Sequence, residues 1–137
     1  MKIRAQVKNS AGQHEVSLQT KDRSHSIVIP PKEAGLGSSA NGGKLLFLAL
    51  ATCYCNDLYR EAAKRGIEVE YVEVDVEGDF GAEGAPAQNV GYTAKIKSKA
   101  SNEEIRALVQ HTDRFAEIQN TLRVVTPVTL RDVEINS

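Results

Sequence analysis

The sequence predicts a chain that mixes antiparallel strands with helices in one domain over residues 1–137, and three observations carry that reading. Apolar and polar residues alternate strictly in the opening third. A long apolar run opens a helix in the middle. Two alternating segments of opposite charge follow that helix.

The elements come in order. "KIRAQVK" sets Ile3, Ala5 and Val7 against charged and polar neighbours, and "HEVSLQT" alternates Val16 and Leu18. "HSIVIP" is a short β-branched run ended by Pro30. "NSAG" at 9–12 and "KDRS" at 21–24 are turn signals, so these runs predict an antiparallel meander. "PPKEAGLGSSANGG" carries two prolines and four glycines and predicts a loop feeding a helix. Such loops often line sites.

From about Asn41 to Arg65 the pattern is helical. Ser39 or Asn41 can cap its start; Gly66 stops it after Lys64 and Arg65, cations suited to the negative end of the helix dipole. Its first half is apolar on all sides, which predicts burial all round. Phe47, Leu50, Ala51, Tyr54, Leu58 and Ala62 form one stripe.

"EVEYVEVDVEGDF" places Val72, Val74 and Val76 on one face and Glu73, Asp75 and Glu77 on the other. After "GAEGAPAQN", "YTAKIKSK" sets Ala94 and Ile96 against Lys95, Lys97 and Lys99. An acidic strand followed by a basic one predicts a hairpin with opposite charges across its exposed face. "SNEE" at Ser101 to Glu104 is a capping-box pattern opening a second helix over 102–115. A short piece, "AEIQNTLR", follows, and "TPVTLRDVEIN" predicts a closing strand.

Composition narrows the function. A net charge of −1 gives no footprint for nucleic acid or an anionic membrane. The opening residues lack an apolar signal region, and the longest apolar run, 45–51, is too short to span a bilayer. The expected address is the cytosol, where thiols stay reduced.

The chemistry-bearing residues are Cys53 and Cys55. A helix turns about 100° per residue, so positions two apart point to nearly opposite sides. That separation argues against a disulfide between them and against a shared metal. His14, His25 and His111 follow no ligand spacing, so no metal or cofactor is expected. Each cysteine read alone is a small buried hydrophobe unless a cation or helix N-terminus lowers its pKa. Asp57 stands one turn beyond Cys53, and Arg60 two turns beyond.

The order of elements, together with "GGKLLFLALATCYCNDLYREAAKRGIEVEYVEVDVEGDF" and the later "HTDRFAEIQNTLR", resembles the OsmC/Ohr family of osmotically inducible and organic hydroperoxide resistance proteins. The resemblance implies an α+β fold, OsmC-like, with antiparallel sheets around long central helices in an intertwined homodimer. It also implies thiol peroxidase chemistry: a cysteine thiolate attacks a peroxide, a second cysteine condenses with the sulfenic acid, and an Arg and a Glu assist.

Carried over position by position, the reactive cysteine falls at Cys53. The second cysteine falls at Ala116 and the glutamate near Gly43 or Lys44, so both are replaced here. The first turn, "NSAGQHE", holds no arginine. Arg23 in the next turn and Cys55 are the accessory candidates. Without a fixed cation, the Cys53 thiol is expected at or above its free value, and its sulfenic acid would need an external thiol to reset it.

The resemblance therefore implies single-cysteine reduction of organic hydroperoxides with an external thiol reductant. The alternative is a non-catalytic homodimer that binds a small apolar ligand in an inter-protomer pocket. A structural or partner-binding role would rest on the exposed "FGAEGAPAQN" loop alone.

Overall fold

A computed structural model describes residues 1–135. Its contacts gather into two compact units, Met1–Leu46 and Phe47–Ser137.

The first unit holds β1 (Ile3–Ser10), β2 (Gln13–Thr20) and β3 (Arg23–His25), antiparallel in that order. Val7 pairs with Val16 and Ala5 with Leu18, so the apolar positions of both strands share one face, as their alternation requires. Gly12 closes the first turn at φ +73, a conformation open to glycine without cost. The second turn is tighter than expected. Thr20 already pairs with Arg23, and Lys21 takes φ +56 between them.

The strand expected across "HSIVIP" is a correction. β3 ends at His25, and residues 26–30 join no strand ladder among the described residues. This edge leads into Pro30 and Pro31, which lack an N–H for a ladder. The glycine-rich loop is ordered. Ser39 N–H donates to the Pro30 carbonyl at 2.9 Å and Lys32 N–H to that of Gly37 at 3.1 Å. Gly37 N–H donates to Asn9 Oδ1 at 3.1 Å, tying the loop to the end of β1.

Helix α1 (Gly42–Lys64) starts where Asn41 caps it, with Oδ1 accepting from Lys44 N–H at 2.9 Å. It ends in a Schellman pattern: Ile67 N–H donates to the Ala62 carbonyl, Gly66 N–H to that of Ala63, and Gly66 adopts φ +66. Beyond it come β4 (Val69–Asp79), β5 (Gln88–Ser98), α2 (Asn102–Phe115) and α3 (Glu117–Arg123).

β4 and β5 form the expected hairpin, with Val72 opposite Ile96 and Val74 opposite Ala94. Lys95 meets Glu73 at 3.6 Å on the other face. A register shift after Val69 brings Glu70, not a residue of the strict alternation, to Lys97 at 3.8 Å. Ser101 caps α2 by accepting from Glu104 N–H.

The core of the second unit is Tyr54, Leu58 and Ala62 of α1 with Leu108 of α2 and Ala116, flanked by Val72, Val74, Ala94 and Ile96 of the hairpin. Two expectations fail. Residues 126–135 form no strand and lie exposed; no neighbouring strand offers them a ladder among the described residues, and Asn136 lies outside those residues. The first half of α1 is not buried all round either, since Leu48 keeps 56% of its surface exposed. This single chain does not cover that side of the helix.

Candidate functional site

Cys53 sits half-buried in the middle of α1. Its Sγ donates to Asp57 Oδ2 at 3.5 Å, one helical turn on. The backbone N–H groups of Ile118 and Glu117, at the start of α3, also face the sulfur. α3 is held there by Gln119, whose amide donates to the Leu50 carbonyl at 3.0 Å, and by Ala116, fully buried just before it.

Asp57 is 7% exposed. Its Oδ1 accepts from Arg60 Nη1 at 3.0 Å. The same guanidinium reaches Glu61 Oε2 through Nε at 3.0 Å and lies 3.9 Å from Glu117 Oε1. Glu61, also buried, further accepts from Lys64 at 2.9 Å and meets His111 Nε2 at 2.8 Å. Helical geometry explains the cluster: residues three and four apart lie side by side, so Cys53, Asp57, Arg60, Glu61 and Lys64 run down one edge of α1.

The electrostatics follow from these neighbours. Burial pushes the Cys53 thiol above its ordinary value; the Ile118 amide pulls it part of the way back, and the Asp57 carboxylate adds to the rise. Glu61 moves the other way. Hydrogen bonds from Lys64, Arg60 and His111 lower its carboxyl to about 2.

Cys55, Arg23, Gly43 and Lys44 are the remaining predicted residues. Cys55 is a free, half-buried thiol on the opposite side of α1, as a two-residue offset requires. Arg23 is exposed on β3 in the first unit and forms no ion pair among the described residues. Gly43 and Lys44 occupy the first turn of α1.

Sequence reasoning noted Asp57 and Arg60 beside Cys53 but assigned them no part. The available signal was a carboxylate and a guanidinium at helical spacing on an edge that also carries apolar residues.

A second polar group ties β5 to the helices. The Tyr92 hydroxyl donates to Asp113 Oδ1, and Arg123 Nη2 reaches the same oxygen at 2.7 Å. Tyr54 donates to the Val109 carbonyl at 3.0 Å, and burial raises its hydroxyl to about 12. Together with Val90, Ala94 and Arg114 these residues line an open groove of about 600 Å³.

The profile of the family described as OsmC-like protein matches residues 35–131. The chain belongs to the OsmC-like protein family, with the α+β fold that family implies. Among solved structures it is similar to an OsmC-like protein from Mycoplasma pneumoniae, 16% identical, with TM-score 0.63 and 89% of each chain covered. It is also similar to the organic hydroperoxide resistance protein OsmC of Legionella pneumophila, 20% identical, with TM-score 0.59 and 90% of each chain covered. A third is an organic hydroperoxide resistance protein of Elizabethkingia anophelis with thiocyanate bound. That protein is 18% identical, with TM-score 0.60, 90% of this chain and 89% of that one covered. At these identities the likeness is one of fold. No curated protein matches the chain. Among the described residues, no helix is long and apolar enough to cross a membrane.

Proposed function

We propose that the whole chain, 1–137, acts as one OsmC-like domain that reduces organic hydroperoxides through Cys53, with an external thiol as reductant. The observation that carries the reading is the half-open sulfur of Cys53, set between a buried, Arg60-held carboxylate and the amides of α3. Attack on the terminal peroxide oxygen leaves sulfenic acid on Cys53. Cys55 points away along the helix, so a small thiol must condense with that sulfenic acid and a second thiol must release it. A cytosolic setting supplies such thiols.

A homodimer is part of the same proposal. Every residue of β1 is exposed, Leu48 stands open on α1, and Val128 (97%) and Leu130 (83%) project from the closing segment. So much exposed apolar surface calls for a covering partner, and a second copy fits the family resemblance. Sedimentation should show a dimer; a monomer at every concentration would contradict it.

The test of the chemistry is consumption of cumene hydroperoxide with dithiothreitol in excess. Cys53→Ser should abolish turnover, while Cys55→Ser should keep it. Unchanged turnover in Cys53→Ser removes the proposal. The second reading is a non-catalytic homodimer that binds a small apolar ligand in an inter-protomer pocket, and the apolar surface left open at Leu48 favours it. Thermal stabilisation by a lipophilic alcohol, with no turnover, would favour that reading instead.

A further inference from the structure

We propose that Asp57 carries the proton of the Cys53 reaction, taking it from the thiol as sulfur attacks and passing it to the alkoxide that leaves the peroxide. This rests on the hydroperoxide reading above. Asp57 is buried, yet both of its oxygens are engaged with defined partners. Oδ1 accepts from Arg60 at 3.0 Å, which fixes the plane of the carboxylate. Oδ2 is left to accept the Cys53 S–H at 3.5 Å. The charged groups around the pair are Arg60 on α1 and Glu117 on α3, and Glu117 meets Arg60 at 3.9 Å.

A carboxylate in this position is ill-suited to hold a thiolate, because burial pushes the thiol up and the like charge of Asp57 adds to the rise. It is well suited to a thiol that ionises only as it reacts. A base within reach of the S–H can take the proton during attack and return it as an acid. The step balances. The sulfur electron pair forms the S–O bond to the terminal oxygen of R–O–O–H, and the O–O bond breaks. Sulfur is oxidised by two electrons to Cys53–S–OH, and the peroxide is reduced to R–O⁻. The S–H proton, held on Asp57, converts R–O⁻ to the alcohol. Two equivalents of the external thiol restore the cysteine and leave as their disulfide, and the sulfenic oxygen leaves as water.

The test compares two oxidants in a Cys55→Ser background, following single-turnover oxidation of Cys53. tert-Butyl hydroperoxide expels an alkoxide that needs a proton. Peracetic acid expels acetate, which does not. Asp57→Asn should slow both reactions, since each must lose the S–H proton, but should slow the hydroperoxide reaction at least about tenfold more than the peracid one, whose leaving group needs no proton. Asp57→Glu, which keeps a carboxylate, should recover most of the loss. An equal fall with both oxidants, or no fall, overturns the proposal. Should neither variant fold, the parent protein still decides. Its hydroperoxide reaction should slow more in D₂O than its peracid reaction, and equal slowing overturns the proposal. Failure of the underlying reading looks different: the parent would then leave Cys53 unoxidised by hydroperoxide, and the relay falls with it.

Discussion

Arg60→Ala tests the cluster that surrounds the sulfur. Arg60 gives one charge-assisted hydrogen bond to Asp57 and one to Glu61, each at 3.0 Å. Such bonds contribute roughly 1.5–3 kcal/mol each where both partners are buried. The guanidinium keeps 43% of its surface exposed, so solvent screening cuts that figure. Glu61 retains Lys64 and His111, whereas Asp57 retains only the thiol. The expected loss is about 2 kcal/mol, most of it from the buried Asp57 left without a cation. Urea unfolding at pH 7 and at fixed protein concentration measures it. The Glu61 share of the gap should disappear as the pH falls toward about 2, where that carboxyl protonates. The bare carboxylate should also push the Cys53 thiol higher, so iodoacetamide labels it more slowly. A loss below about 0.5 kcal/mol at pH 7 would show the network to be an ordinary surface one and refute this account of it.

Two further outcomes follow from the same structure. Leu58 is fully buried between α1, α2 and the hairpin, so Leu58→Ala should cost about 3 kcal/mol in urea unfolding, and a loss under about 1 would contradict the core described. Glu61, lowered to about 2 chiefly by Lys64 and then by Arg60 and His111, contributes stability that is full above the ordinary carboxylate value of 4.5. That stability is lost as the pH falls toward about 2, so Glu61→Gln should flatten the acid limb of a stability–pH profile, and an unchanged limb would refute the assignment.

Much of the fold was legible because local and tertiary preferences agree. α2 runs over Asn102–Phe115, the span its capping pattern and apolar spacing predict. The hairpin register follows from the facing valines and alanine and from the opposed charges. The strand after Arg23 stops early because it is an edge running into two prolines, and an edge strand depends on a partner that periodicity does not reveal. The closing segment alternates like a strand and pairs with none among the described residues.

At the site, the placement of Cys53 in the middle of a long helix could be read directly. Asp57 and Glu61 could not be read as buried from their residue types, since isolated carboxylates seldom are. Their burial depends on Arg60, Lys64 and His111 meeting them, and His111 arrives from a helix fifty residues later in the chain.

The most direct measurement of the central claim is peptide mapping by mass spectrometry after treatment with an organic hydroperoxide, with and without dithiothreitol. The account predicts one added oxygen at Cys53, removed by the thiol, with Cys55 unmodified. Oxidation confined to Cys55, or a Cys53 left untouched while peroxide is consumed, would contradict it.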